Sequence, residues 1–229
     1  MKRAYFITAT GTDLGKTWLT AGVAGVCRRR GIAVRALKPV MSGYDPAHPE
    51  ASDAGRLLEK VGAGGTAEQI APWRFAAPLS PDLAAAKEGR SIDFDALVAW
   101  CRGEIERNEG LLLVEGIGGA MVPLDKTHTV REWIAALGIP VVLVAGTYLG
   151  ALSHTLATLA ALRAAGIEPA ALVVNESPDS AVGLSATLAS LAHHTGAHHM
   201  NELPLLRLRR DDAAGLERMA DFLLGMGGT

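Results

Sequence analysis

Cysteine is nearly absent from this 229-residue chain, which contains only Cys27 and Cys101. Both lie in apolar stretches with helical spacing, and neither belongs to a closely spaced pair of the kind that binds metals. The fold therefore rests on neither a disulfide framework nor a cysteine-based metal centre. We interpret both residues as buried, reduced thiols and expect a cytoplasmic protein, because disulfides are rare in reducing compartments.

An excess of basic residues is also lacking, since 22 Lys and Arg stand against 24 Asp and Glu. A surface that binds nucleic acid or an anionic membrane needs such an excess, so we expect neither partner. No long apolar run is present, and the residues after Met1 lead directly into a short strand pattern. This predicts neither a signal peptide nor a membrane span, and small-molecule substrates bound in a pocket become the expectation.

Five short apolar runs predict buried strands, and stretches with the spacing of amphipathic helices separate most of them. The runs are residues 5–8, 34–37, 111–114, 141–145 and 172–174. This alternation is typical of the α/β class, in which a mostly parallel sheet carries helices on both faces. No repeat, linker or change of composition marks a boundary, so we expect a single domain over residues 1–229. The Pro- and Gly-rich stretch from Pro39 to Pro81 predicts long loops at the carboxyl edge of the sheet.

The first strand pattern runs into a phosphate-binding motif that ends in Gly15-Lys16-Thr17. In such a loop, backbone N–H groups and the N-terminus of the next helix converge on phosphate oxygens. Lys16 reaches the β- and γ-phosphates, and the Thr17 hydroxyl ligates the accompanying Mg²⁺. The match is partial, because Thr10 occupies the position of the first glycine and Gly11 comes one residue later. An ordinary loop before a basic helical turn is the alternative, but the flanking strand and helix patterns favour a phosphate-loop NTPase.

Polar residues also follow the second strand pattern. Lys38 and Ser42 begin the next loop, at the sheet edge that carries the phosphate loop. A second lysine there suits a reaction that builds negative charge on a transferred phosphoryl group, and a solvated lysine at a strand end is the alternative. Asp53 precedes a helical pattern, where an aspartate is suited equally to capping the helix and to binding magnesium.

The third strand pattern ends in Glu115 and a glycine turn. An acid directly after four apolar residues is costly to bury unless a metal ion or a lysine lies nearby. We therefore interpret Glu115 as a second metal-binding acid, with a simple exit from the strand as the alternative. Gly118 and Gly119 allow backbone N–H groups to approach a ligand closely.

An amide and a group of histidines complete the candidate residues. Asn175 ends the fifth strand pattern, and its amide can both donate to and accept from an adenine edge, although turn formation explains it equally well. The histidines are His193, His194, His198 and His199. Their weakly patterned surroundings favour a solvated helix end over a metal site.

In their order along the chain, these motifs resemble the dethiobiotin synthetase family over nearly the full length. The motifs are Gly11-Thr-Asp-Leu-Gly-Lys-Thr17, Lys38-Pro-Val-Met-Ser-Gly43, Ser52-Asp53, Pro78-Leu-Ser-Pro81, Val114-Glu-Gly-Ile-Gly-Gly119, Leu149-Gly-Ala-Leu-Ser-His154 and Val174-Asn175. The resemblance implies an ATP-dependent ligase of biotin synthesis that converts 7,8-diaminononanoate and CO2 into the cyclic urea of dethiobiotin. In that family the diamine is carboxylated to a carbamate, ATP phosphorylates the carbamate, and the second amine displaces phosphate.

The resemblance also implies roles for single residues. Lys16 and Lys38 would be catalytic, the first on the phosphates and the second on the carbamate. The residues implied to bind ATP are Thr12, Asp13, Leu14, Gly15, Lys16, Thr17, Asp53, Glu115, Gly116, Ile117, Gly118, Asn175, Glu176 and Pro204. Those implied to bind the diamine or its carbamate are Ser42, Gly118, Gly119, Gly150 and Ser153, and those implied to ligate Mg²⁺ are Thr17, Asp53 and Glu115. The diamine site would lie at the interface of a homodimer.

Two other classes of protein share parts of this pattern. Another amide-forming synthetase, such as the one that acts on cobyrinic acid, would want an attached glutaminase domain, for which 229 residues leave no room. The partition and cell-division ATPases act as switches, but they carry an extra lysine early in the phosphate loop, where this chain has Gly11. The sequence therefore favours the synthetase.

Overall fold

The computed structural model describes residues 2–62, 64–178, 180, 182–194 and 212–226, and the backbone of residues 205–208. Of the residues singled out in the sequence, Pro204, His198 and His199 lie outside this part of the chain. The strands are β1 (Arg3–Ala9), β2 (Val34–Leu37), β3 (Val40–Ser42), β4 (Trp73–Phe75), β5 (Leu111–Glu115), β6 (Val141–Ala145), β7 (Ala171–Asn175) and β8 (Leu205–Leu208). The helices are α1 (Lys16–Arg29), α2 (Asp53–Val61), α3 (Ala67–Ile70), α4 (Pro81–Lys87), α5 (Phe94–Glu106), α6 (Val130–Leu137), α7 (Ala151–Ala164), α8 (Leu184–His194) and α9 (Ala213–Leu224), with a 3-10 turn at Pro49–Ala51.

The main sheet has six strands in the order β2-β5-β1-β6-β7-β8, and every neighbouring pair is parallel. It contains all five strands predicted from the apolar runs, which confirms the α/β class. Every residue of β5, β6 and β7 is buried. Their continuous apolar sequences follow from this burial, because a parallel sheet is covered on both faces.

Connections in the main sheet run to opposite sides of the central strand β1. The chain crosses from β1 to β2 through α1 on one side, and later from β6 to β7 through α7 on the other side. Because crossovers between parallel strands are right-handed, the two helices lie on opposite faces. This reversal of strand order opens a crevice beyond the carboxyl ends of the central strands, where ligands bind in open α/β sheets.

The prediction of long loops between Pro39 and Pro81 is wrong for much of that stretch. Strands β3 and β4 pair in parallel as a second, two-stranded sheet, and α2 and α3 lie between them. Helix α2 begins after Ser52, whose side chain accepts a hydrogen bond from Gly55 N at 3.1 Å, and it buries Leu57. The strands and α3 are only three or four residues long, which is too short to show a clear apolar period.

Helix α6 begins with a capping box. The Glu132 carboxylate accepts hydrogen bonds from the Thr129 backbone N–H at 2.8 Å and from the Thr129 hydroxyl at 2.5 Å, and it pairs with Arg131 at 2.6 Å. Partial burial alone would raise the pKa of Glu132, but these donors outweigh it and lower the pKa to about 2. The charged form of Glu132 therefore stabilises the start of the helix.

We expect Glu132→Gln to lower the free energy of unfolding by about 1 kcal/mol at neutral pH, because neutral hydrogen bonds replace charge-assisted ones. Since the folded-state pKa of Glu132 lies below its ordinary value, this stabilisation is complete above pH 4.5 and is lost as the pH falls towards about 2. Denaturant-induced unfolding at several pH values measures the difference. Glu106→Gln, at an exposed position of α5, is the control. A Glu132→Gln difference that stays constant with pH would contradict the assignment.

Candidate functional site

A cleft of about 1090 Å³ opens at the carboxyl edge of the main sheet. Its lining includes these residues singled out in the sequence: Thr12, Asp13, Leu14, Gly15, Lys16, Thr17, Lys38, Ser42, Asp53, Ile117, Gly118, Asn175 and Glu176. They belong to the segments that follow β1, β2, β5 and β7 and to the first turns of α1 and α2. The strand order thus brings together residues that are far apart in the chain.

Lys16 is almost completely buried beside this cleft. Its ammonium donates to the Gly118 carbonyl at 2.7 Å and to the Gly11 carbonyl at 3.1 Å. Burial, helped by the nearby charge of Lys38, lowers the pKa of Lys16 to about 8. An anion bound here would favour the charged form of the lysine, so the position is suited to phosphate.

Lys38, Glu115 and Asp53 form a cluster of charges, in which Lys38 and Glu115 are buried and Asp53 is partly exposed. The Lys38 ammonium donates to Glu115 Oε1 at 2.7 Å and to the Gly116 carbonyl at 2.9 Å, and it lies 3.1 Å from Asp53 Oδ2. Burial alone would lower the pKa of Lys38, but the two carboxylates outweigh it and raise the pKa above its usual value. Lys38 is 3% exposed, so the alternative of a solvated lysine at a strand end is wrong.

Asp53 does not cap helix α2, because Ser52 does so. It is the first residue of the helix, and its carboxylate turns towards Lys38. Burial would raise the pKa of Asp53, but the adjacent Lys38 ammonium lowers it below its usual range. The capping alternative is therefore wrong, and magnesium binding by Asp53 stays a prediction.

Glu115 and its neighbours provide oxygen atoms that can bind a hard cation. Its Oε1 accepts a hydrogen bond from the Thr17 hydroxyl at 2.6 Å as well as from Lys38. Its Oε2 is buried and has no hydrogen-bond partner within the described part of the chain. A buried carboxylate oxygen without a partner is costly. With the Thr17 hydroxyl and the Asp53 carboxylate, it supplies the ligand type that divalent cations such as magnesium prefer.

The glycine turn after β5 packs against the phosphate loop. A Cβ added to Gly119 would lie 3.1 Å from Gly11 N and from Thr10 O, and a Cβ added to Gly116 would lie 2.9 Å from the ring of Phe6. Neither glycine lines the cleft, whereas Gly118 does. The turn therefore needs glycine for close packing, on backbone at Gly119 and on the Phe6 ring at Gly116.

Asn175 fixes the other side of the phosphate loop. Its Nδ2 donates to the Leu14 carbonyl at 3.0 Å, and its Oδ1 is buried without a partner among the described residues. Gly15 has a left-handed backbone with φ of 94°, and a Cβ there would lie 2.3 Å from Asn175 Nδ2. The free Oδ1 is thus an acceptor that a ligand in the cleft can use.

Gly150 and Ser153 are exposed and do not line the cleft. They belong to the start of α7, where Gly150 precedes the helix with φ of 98°. Leu149, just before them, is 91% exposed. A role for these residues in substrate binding, which the resemblance assigns through a partner subunit, stays a prediction.

Sequence reasoning missed several residues that line the cleft, namely Trp18, Arg56, Ser177 and Pro178. Arg56 follows Asp53 by three positions on α2, and this one-turn spacing from a candidate ligand was a usable signal. Asp13 has φ of 57°, the only left-handed residue other than glycine in the described ranges. Aspartate adopts this conformation more often than most residues other than glycine, so its place in a loop was a weak signal.

Other candidate features do not form sites. Within the described residues, no group of three or more His, Cys, Asp and Glu is arranged to hold a metal ion. His193 and His194 end helix α8, as expected for a helix terminus. Cys27 and Cys101 are buried free thiols. Among the described helices, none combines the length and apolar character that crossing a bilayer requires.

Comparisons with known proteins agree with this geometry. A family model described as an AAA domain matches residues 3–210. An ATP-dependent dethiobiotin synthetase BioD of Acidiphilium cryptum is 55% identical over 197 residues, which cover 84% of this chain and 88% of the relative. One from Caulobacter sp. strain K31 is 44% identical over 223 residues, covering 96% and 94%. The cell division ATPase MinD of Pyrococcus furiosus aligns with a TM-score of 0.54 at 16% identity over 99% of this chain and 100% of that one, which shows a common fold.

We expect Gly15→Ala to destabilise the protein by about 2 to 5 kcal/mol, because it adds a clash with Asn175 to the strain of a left-handed alanine. Gly31→Ala is the matched control, since Gly31 has φ of 68° but nothing within 4 Å of an added Cβ. Gly31→Ala should cost only about 1 kcal/mol. Denaturant-induced unfolding compares the two. Equal costs would show that the phosphate loop does not pack on Asn175 as described.

Proposed function

The chain belongs to the family of ATP-dependent dethiobiotin synthetases, ligases of biotin biosynthesis, and from this membership we propose how it closes a cyclic urea. The proposed substrates are 7,8-diaminononanoate, CO2 and ATP. One amine of the diamine adds to CO2 and loses a proton, giving a carbamate. A carbamate oxygen then takes the γ-phosphoryl group of ATP, which releases ADP. The second amine attacks the carbonyl carbon of this mixed anhydride, and phosphate leaves as the ring closes.

The observation that carries the mechanism is the position of the two lysines. Lys16 donates to the carbonyl of Gly118, and Lys38 donates to the carbonyl of Gly116, so both ammonium groups lie on one short turn. Carbamate and γ-phosphate are both anions and must approach each other in line. Two ammonium groups at the point of approach would neutralise them, and such positioning and neutralisation supply most of the catalysis in phosphoryl transfer.

The two lysines would act on different anions. Lys16 follows the phosphate loop directly and would hold the β- and γ-phosphates and stabilise the transferred group. Lys38 directly follows β2, and Ser42 ends the next strand, β3. Lys38 would pair with the carbamate oxygens. The elevated pKa of Lys38 supports this role, because it keeps the ammonium charged at neutral pH.

Thr17, Asp53 and Glu115 would hold Mg²⁺. The unpartnered Glu115 Oε2 and the oxygen-only donor set support this assignment. When bound, Mg²⁺ neutralises phosphate charge. The carbamate would be an alternative partner for the charge of Lys38. Binding of Asp53 and Glu115 to the metal ion would therefore not leave the Lys38 ammonium unpaired.

Asn175 and Glu176 would contact the base of ATP. The unpartnered Asn175 Oδ1 is an acceptor, and the exocyclic amine of adenine is a donor, so the two are complementary. The backbone N–H groups of Thr12, Asp13, Leu14 and Gly15 would bind the phosphates, as in other phosphate loops. Gly116, Ile117 and Gly118 would approach the nucleotide from the glycine turn. Pro204, outside the described residues, completes the proposed ATP site.

The diamine site would combine two subunits of a homodimer. Ser42, Gly118 and Gly119 would contact the reacting amines and the carbamate. Gly150 and Ser153 of the partner subunit would receive the substrate carboxylate at the start of α7, where free backbone N–H groups favour an anion. We further propose that residues 1–229 form a single domain and that the enzyme acts in the cytoplasm.

The function is tested by incubating the protein with 7,8-diaminononanoate, bicarbonate, magnesium and ATP and by following dethiobiotin and ADP together. Both products should appear in equal amounts, and omission of the diamine should stop ADP formation. ATP hydrolysis that proceeds equally without the diamine, with no cyclic product, would instead indicate an ATPase switch.

Lys38→Ala should lower kcat by about 100-fold to 1000-fold, because it removes a charged group that acts on the developing anion. ATP binding, measured by calorimetry, should stay nearly unchanged. Lys16→Ala should weaken both turnover and ATP binding. Because Lys38→Ala leaves Glu115 buried without its cation, Lys38→Gln serves as a second variant that keeps a hydrogen-bond donor. Near-normal rates in both Lys38 variants would remove this lysine from the mechanism.

Asp53→Asn should raise the Mg²⁺ concentration that gives half-maximal turnover, because a neutral amide binds a hard cation less strongly than a carboxylate does. A chelator should abolish turnover of the wild type, and excess Mg²⁺ should restore it. Asp95→Asn, at an exposed position of α5, is the control and should leave the Mg²⁺ requirement unchanged. An unchanged requirement in Asp53→Asn would exclude Asp53 from the metal site.

A further inference from the structure

The loops that follow β6 and β7 are joined by a reciprocal pair of hydrogen bonds, here called the Thr147–Ser177 clamp. Thr147 N donates to Ser177 Oγ at 3.0 Å, and Ser177 N donates to Thr147 Oγ1 at 3.0 Å. The Ser180 hydroxyl adds a hydrogen bond to the Thr147 carbonyl at 2.6 Å. Thr147 is only 2% exposed, so water competes little for these groups.

The clamp lies directly behind one wall of the cleft. Residues 175–178, here called the 175–178 wall, all line the cleft. Strand β7 ends at Asn175, so the ladder of the sheet no longer fixes the chain beyond that residue. The clamp therefore helps to fix the path of the wall from Glu176 to Pro178.

The phosphate loop packs against these two loops. A Cβ added to Gly146 would lie 2.6 Å from Ser177 Oγ and 3.0 Å from Leu14 Cδ2. The absence of a side chain at Gly146 lets the loop after β6 fit between the wall and the phosphate loop. Asn175, at the start of the wall, bonds to the Leu14 carbonyl. The clamp and this bond together hold the wall against the phosphate loop.

The clamp is separate from the charged end of the cleft. Its hydrogen bonds join Thr147 to Ser177 and Ser180, and none of them reaches Lys16 or Lys38. Lys16 and Lys38 bond instead to the glycine turn and to the acids around it. The sheet holds Asn175 and with it the bond to the phosphate loop, so a change in the clamp should move residues 176–178 and leave both lysines in place.

We propose that Thr147 is a positioning residue for nucleotide recognition: by holding Ser177, it sets the 175–178 wall at the distance that the base of ATP requires. The residue touches neither the base nor the phosphates. This inference rests on the proposed function, because it takes ATP to lie with its phosphates at Lys16 and its base at Asn175.

Thr147→Val tests the proposal, since it keeps the shape of the side chain and removes the oxygen that accepts from Ser177 N. Calorimetry of the full-length protein with magnesium should show ATP binding weakened about fivefold to tenfold, because one buried hydrogen bond to the wall is lost. Binding of inorganic tripolyphosphate, which has no base, should be unchanged. Thr147→Ser keeps the hydroxyl and should bind ATP like the wild type.

Two further variants complete the test. Ser177→Ala removes the acceptor for Thr147 N at a more exposed position, and it should weaken ATP binding without affecting tripolyphosphate. Thr187→Val is the matched control, because Thr187 is 2% exposed on α8 and, among the described residues, its hydroxyl bonds only to the Gly183 carbonyl. It should change binding of neither ligand.

The outcomes separate the two levels of inference. A wild type that binds tripolyphosphate but not ATP would overturn the proposed nucleotide site itself. A wild type that binds both, with Thr147→Val and Ser177→Ala binding ATP equally well, would overturn the clamp alone. Equal loss of ATP and tripolyphosphate binding in these variants would also overturn it, since that result indicates general disruption of the cleft.

Discussion

The burial of the Glu115 carboxylate is the constraint on which the carboxyl edge of the sheet depends. An ionised acid inside a protein needs charged and hydrogen-bonded partners, and Thr17 and Lys38 both bond to the same oxygen of this one. To supply them, helix α1 and the loop after β2 must both reach the end of β5. Lys38 in turn pairs with Asp53, and this pairing holds the start of helix α2 close to the end of β5. One buried acid thus decides where three elements of the fold meet.

The charges around this acid balance before any ligand binds. Lys16 and Lys38 carry two positive charges, and Asp53 and Glu115 carry two negative charges. An anion that bound alone would give these four groups an excess of negative charge, and a divalent cation alone would give them an excess of positive charge. A nucleotide that binds with its magnesium ion brings both signs of charge at once. The lysines would then pair with the nucleotide and the carboxylates with magnesium instead of with each other, at little electrostatic cost.

Five of the six strands of the main sheet could be predicted from sequence, because they are continuous apolar runs that helices cover on both faces, whereas β8 was not predicted. Lys38 and Glu115 could also be predicted, since a charged residue at the end of an apolar run is conspicuous, and Lys16 could be predicted from the phosphate-binding motif. Strands β3 and β4 could not, because three residues cannot show a period. Thr147 and Ser177 could not either, because each is a small polar loop residue whose role depends on a partner thirty positions away.

The central position of β1 has a consequence for synthesis of the chain. Arg3 pairs with Leu111 on one side of this strand, and Phe6 pairs with Val141 on the other. Strand β1 therefore waits for both of its neighbours until residue 145 has been translated. Such non-local parallel pairing is slow to form and leaves apolar edges uncovered in the meantime. A nascent chain that stops before residue 145 lacks a complete β6 and cannot assemble the sheet that supports the phosphate loop.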